Sequence, residues 1–153
     1  MKHLLIVLFL LLLATGLFAQ KGLFELAFGD SLAHCDSLIT HLGLQANDKT
    51  GTAIVYYPEP ETQYAGKLSR INLYLDKETR KLTGWVAYIF YPQTGDLEKS
   101  ILTQMKALHG DKYEIKEDDY YGGRKLYTWT LDKNHYVQIG PSGDLFHVRY
   151  DTR

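Results

Sequence analysis

The chain has 153 residues, 17 of them basic and 18 acidic, with a formal net charge of −1 and a single cysteine. Near-balanced charge with no sustained basic stretch argues against nucleic acid as a partner. One cysteine excludes an internal disulfide, so a hydrophobic core must hold the fold together.

The opening runs Met1, Lys2, His3, then unbroken apolar residues from Leu4 to Leu13, then Ala14 to Ala19 ahead of Gln20. A short basic start, an apolar core of about ten residues and small residues before a cut are the parts of a secretory signal. The expectation is a signal peptide over residues 1–19 and a single domain over 20–153, with no stable membrane anchor after cleavage. The apolar run is shorter than the roughly 20 residues that cross a bilayer. Cys35 lies too far beyond the apolar core to carry a lipid. Loss of Lys2 leaves 16 of the 17 basic residues against 18 acidic ones.

Leu23 to Phe28 reads as a first strand. Leu32, Cys35, Leu38, Ile39 and Leu42 then recur at spacings of three and four, which predicts a helix from about Asp30 to Leu42. Asp30 or Ser31 would cap its start and Gly43 its end. Strand composition follows at Thr52 to Tyr57, Leu68 to Leu75 and Thr83 to Tyr91. A second helix is expected from about Asp96 to Leu108, with Leu97, Ile101, Met105 and Leu108 on one face, Thr94 as its cap and Gly110 as its stop. Strands are then expected at Lys112 to Lys116, Lys125 to Leu131, His135 to Ile139 and Leu145 to Tyr150, joined by short turns that make neighbours antiparallel.

The order predicts an α+β domain with an antiparallel sheet of about seven to eight strands and two helices on one face. Gly29-Asp30 through Leu42-Gly43 parallels Gly95-Asp96 through Gly110, and Leu75-Asp76-Lys77 parallels Leu131-Asp132-Lys133. These matches suggest a duplicated α-β-β-β unit over 29–91 and 95–151.

The Phe28-Gly29-Asp30-Ser31 entry into a helix ending at Leu42-Gly43, followed by a meander, resembles the helix-plus-meander repeat of β-lactamase-inhibitor-like proteins and of small outer-membrane-assembly lipoproteins. The resemblance implies a non-catalytic protein that binds another protein through its sheet. The chain departs from it in lacking a lipidated cysteine and the inhibitors' disulfides. The Phe18-Ala19-Gln20 ending resembles signal peptides of the Bacteroidetes group, which implies a two-membrane bacterium and a periplasmic or secreted product.

Cys35 is the one thiol nucleophile, with His34 beside it. It shares the apolar helix face, where a thiol acts as a small buried hydrophobe, while His34 points about 100° away. Of His34, His41, His109, His135 and His147, none shows the spacing of a zinc site. His135 and His147 fall on expected strands whose short connection allows them to adjoin. Asp118 and Asp119 sit in a hydrophilic hairpin connection, where solvation is the simpler reading. No nucleophile elbow, phosphate loop or metalloprotease motif occurs. No metal and no cofactor are expected, and the balance leans away from an enzyme.

Aromatic residues carry the remaining signal. All 12 tyrosines follow the leader, and many fall on strands. With Ile71, Leu73 and Leu75 facing the helices, Arg70, Asn72 and Tyr74 would line the opposite, open face. The candidate binding residues are Tyr120, Tyr121, Arg124, Tyr127, Trp129 and Tyr74, because tyrosine and tryptophan give large contact area with a polar tip. Ordinary sheet packing is the competing account of the same residues. The expected function is an exported, non-catalytic binding or scaffold protein of the cell envelope, recognising an envelope or extracellular protein or glycan. The alternative is a small secreted hydrolase or hydrolase inhibitor, whose test is a pocket joining two or more of His135, His147, Asp118 and Asp119.

Overall fold

The computed structural model describes residues 21–58, 68–91, 95–118 and 123–153. The expected leader, the Thr94 cap, Asp119 and the Tyr120-Tyr121 pair lie outside the described residues.

Among the described residues two α-helices, α1 (Leu32–His41) and α2 (Asp96–His109), accompany eight strands: β1 (Leu44–Gln45), β2 (Ala53–Pro58), β3 (Leu68–Leu75), β4 (Leu82–Phe90), β5 (Glu114–Asp118), β6 (Arg124–Thr130), β7 (His135–Ser142) and β8 (Leu145–Thr152). The strands form one sheet in the order β1-β2-β3-β4-β8-β7-β6-β5, and every pairing is antiparallel. The α+β class with two helices and an eight-stranded antiparallel sheet is therefore as the sequence predicts. Each half of the chain runs helix and then four strands, and the two halves meet where β4 pairs with β8.

Side chains alternate along a strand, so the register sorts the sheet into two faces. Ile54, Leu73, Trp85, Tyr150, Val137 and Trp129 form one row across six strands. Tyr56, Ile71, Ala87, Val148, Ile139 and Tyr127 form the next. All twelve are buried, in one cluster with Cys35 and Ile39 of α1 and Ile101 and Met105 of α2. Both helices thus cover the same face, and at about 1.5–3 kcal/mol per large side chain this burial is the main stabilising term.

Ser31 caps α1 by accepting a hydrogen bond from His34 N at 3.3 Å. Gly43 and Gly110 follow the two helices with φ of 77° and 86°, a backbone region that glycine enters without strain. The last apolar residue of each expected stripe is not in the core: Leu42 is 48% exposed and Leu108 44%. Both sit in or just beyond the final turn of their helices.

The segment read as a first strand is instead a 3-10 turn at Leu23–Glu25, with Phe24 and Glu25 at φ of 65° and 63°. Its backbone donors find local partners rather than a ladder: Gly22 N donates to Leu26 O, Ala27 N to Asp30 Oδ2, and Leu23 N to the Tyr150 hydroxyl at 3.0 Å. Leu26 is fully buried, and Phe28 stacks on His135 with ring centroids 4.0 Å apart. A Cβ on Gly22 would come within 2.6 Å of both Trp85 and Tyr150. The segment closes one end of the core as a plug.

The paired sequence matches meet the fold unequally. Asp76 Oδ1 accepts from Glu78 N and Thr79 N in the turn between β3 and β4. Asp132 Oδ1 accepts from Asn134 N and His135 N between β6 and β7. The same local chemistry therefore closes non-equivalent turns of the two halves.

Candidate functional site

The strongest sequence candidates separate once the faces are assigned. Trp129 is 1% exposed and Tyr127 8%, both on the helix-covered face. Trp129 donates its indole N–H to Gly110 O at 2.9 Å, at the end of α2, and Tyr127 donates to Glu98 Oε1 at 3.0 Å. Burial, and then the Glu98 carboxylate, push the Tyr127 hydroxyl up to about 12. These two residues tie α2 to the sheet, which corrects their expected place on an open face. The alternation of β6 put them together on one face but could not say which one the helices cover.

Tyr74 is half-buried on the opposite face, as expected. Arg124 donates to Gly143 O at 3.4 Å and lies 5.6 Å from the Tyr91 ring centroid, so it braces the β7–β8 turn. Tyr120 and Tyr121, between β5 and β6, are outside the described residues.

Register also sets the opposite face, which no described helix covers. Val55, Asn72, Val86, Arg149, Gln138, Thr128 and Glu114 make one row, and Arg70, Tyr88, His147 and Gly140 make the next. Tyr136 opposes Asp151 on the same face. At its centre Val86, Tyr88, Leu126, Gln138, His147 and Arg149 line a groove of about 210 Å³. The space over Gly140 is filled by Leu126, whose Cδ2 a Cβ at that position would meet at 2.3 Å, so the glycine lets Leu126 pack close against β7 as one wall of the groove.

Arg149 is the charged residue lining the groove, and it is ion-paired. Arg149 is held by Asp151 through Nε at 2.9 Å and one Nη at 2.5 Å. Arg70 lies 4.2 Å from the Tyr88 ring centroid, a cation–π contact that brings a second guanidinium to the rim. Burial, and then the neighbouring Arg149 charge, push His147 down to about 4, against a hydrogen bond to the Pro141 backbone. His147 is thus a neutral imidazole at neutral pH, with one ring nitrogen a donor and the other an acceptor.

The other chemical candidates do not assemble. Cys35 is fully buried, and burial pushes its thiol up to about 12, so it behaves as a core residue. His135 shares the helix-covered face with Val137, whereas His147 lies on the uncovered face. Among the described residues no group of three or more His, Cys, Asp or Glu side chains is placed to hold a metal ion. No described helix is long and apolar enough to cross a membrane.

Arg149 and Tyr88 were not among the candidate binding residues read from the sequence, and His147 was singled out only for the hydrolase alternative. Their signal was present in the alternation of Leu145 to Tyr150, where Phe146, Val148 and Tyr150 leave His147 and Arg149 on the other side. Tyr88 was obscured because Trp85 to Tyr91 is apolar on both faces.

No protein-family model, curated protein or solved structure matches this chain.

Proposed function

We propose that this chain is an exported, non-catalytic binding or scaffold protein of a bacterial cell envelope, recognising a protein or glycan through the uncovered face of its sheet. The observation that carries this reading is that face. Half of an eight-stranded sheet's side chains remain outside the helix-covered core, and they include Tyr74, Tyr88, Tyr136, Arg70 and Arg149 around one groove. Tyrosine and arginine are the residue types that dominate binding energy at recognition surfaces. Export rests on the apolar leader, and the site reading extends to Tyr120 and Tyr121 by their position next to β6.

The hydrolase alternative needs catalytic groups brought together, and His135 and His147 on opposite faces give it no support. An inhibitor of a hydrolase remains one form of the binding reading. We also read the two halves, 29–91 and 95–151, as a duplicated unit, supported by the helix-then-four-strands order of both. The direct test is capture of envelope components with the exported protein and with its Tyr88→Ala and Arg149→Ala variants. Loss of the retained partner from folded variants supports this face. Undiminished retention moves the site elsewhere.

A further inference from the structure

The groove narrows what the face can recognise. Its volume of about 210 Å³ matches about seven water molecules at roughly 30 Å³ each. That space suits one six-membered sugar ring of about a dozen non-hydrogen atoms, and it falls below the about 300–1,000 Å³ of a drug-sized ligand site. A lone aspartate or glutamate side chain would fill less than half of it.

Its lining divides by chemistry. Val86, Leu126 and Pro141 offer apolar surface for the C–H side of a ring, while Gln138, Ser142 and His147 offer donors and acceptors to hydroxyl groups. Gln138 Nε2 already donates to Thr128 Oγ1, which leaves its carbonyl oxygen as an acceptor toward hydroxyls. One strand away, Asn72 Oδ1 is buried on this face without a hydrogen-bond partner. The acceptors call for a ligand rich in O–H donors.

Charge selects further. Arg149 lines the groove and Arg70 stands at its rim on Tyr88, whereas no aspartate or glutamate is among the lining residues. Asp151 engages Nε and one Nη of Arg149. A guanidinium carries five N–H donors, so donors remain for a second carboxylate.

Resting on the binding-face reading, we propose that the groove of Tyr88, Gln138, His147 and Arg149 binds a carboxylate-bearing sugar residue of an acidic glycan, with Arg149 on the carboxylate.

The test is titration of the exported protein with trigalacturonate, with maltotriose as the neutral control and hexaglutamate as the acidic peptide control. Amide shifts are followed by NMR. The expected result is saturable shifts at residues 86–88, 138–142 and 147–149 with trigalacturonate alone, weakened at least tenfold by Arg149→Gln. Arg149 is exposed, so the variant should keep the parent fold, and its unshifted spectrum elsewhere verifies this. Equal binding of maltotriose overturns the carboxylate assignment. Shifts at these residues only with hexaglutamate, or only with a captured protein, overturn the glycan assignment and leave the binding face standing. A captured partner that contacts neither these residues nor Tyr74 and Tyr136 overturns both.

Discussion

The two faces of the one sheet carry aromatic residues to different ends. On the helix-covered face Trp85 and Tyr150 stack with centroids 4.2 Å apart, and Tyr113 packs 5.0 Å from Trp129. Four polar tips there find partners on the protein, Tyr56 donating to Asp36, Tyr127 to Glu98 and Trp129 to Gly110 O while Tyr150 meets His109 Nε2 at 2.8 Å, whereas the Trp85 indole N–H is buried without one. On the uncovered face Tyr88 carries Arg70, and Tyr74 and Tyr136 remain half-buried. Aromatic content alone therefore says little about binding. The decisive property is whether a helix supplies the partner for each ring and each hydroxyl.

The contrast is broken most forcefully by Trp129→Ala. It removes a fully packed indole and orphans Gly110 O, with an expected loss of about 3–5 kcal/mol in denaturant unfolding. A loss below about 1 kcal/mol would mean that Trp129 is not a core residue.

The pH response tests the uncovered face next. His147 titrates near 4 in the folded protein and near 6.5 when unfolded. Between those values the unfolded chain binds a proton that the folded chain does not, so stability falls as pH drops from above 6.5 to about 4. The loss is up to about 3 kcal/mol. His109 is also held below its ordinary value by burial and adds in the same direction. Asp36 contributes in a separate, lower window, because Lys49 first and then Tyr56 hold its carboxyl below the usual range, against burial. Unfolding curves at pH 7 and 4.5 measure the histidine part, and His147→Gln should flatten it.

Gly22→Ala probes the plug. The added methyl meets Trp85 and Tyr150 at 2.6 Å, so a loss of about 1–3 kcal/mol is expected. Tyr127→Phe removes one hydroxyl and should cost about 1–2 kcal/mol, since Glu98 loses a donor. Tyr74→Ala should change stability by less than about 0.5–1 kcal/mol. If Tyr74 proves as costly as Trp129, the assignment of an uncovered face fails.

Most of the architecture was legible in the chain. Leu68–Leu75 is a strand at the expected bounds, and the other eight expected helices and strands beyond the misread first segment are found within a few residues. The misread segment, Leu23 to Phe28, has strand-like composition, but its donors are satisfied by Asp30 and Tyr150, contacts that composition cannot express. No apolar run marks β1, which is only two residues long at the sheet edge. The site was half legible: alternation in β3 placed Arg70, Asn72 and Tyr74 together, opposite Ile71 and Leu73.

The sequence by itself determined the elements, their antiparallel turns, the inert burial of Cys35 and the pairing of side chains into alternating sets. These follow from local periodicity and from turn chemistry, which act over a few residues. Only the tertiary structure decided which alternating set of β6 the helices cover, why His135 and His147 face apart, and how Tyr88, Gln138, His147 and Arg149 meet around one groove. Those depend on register across strands far apart in the chain, where a shift of one residue would exchange the faces.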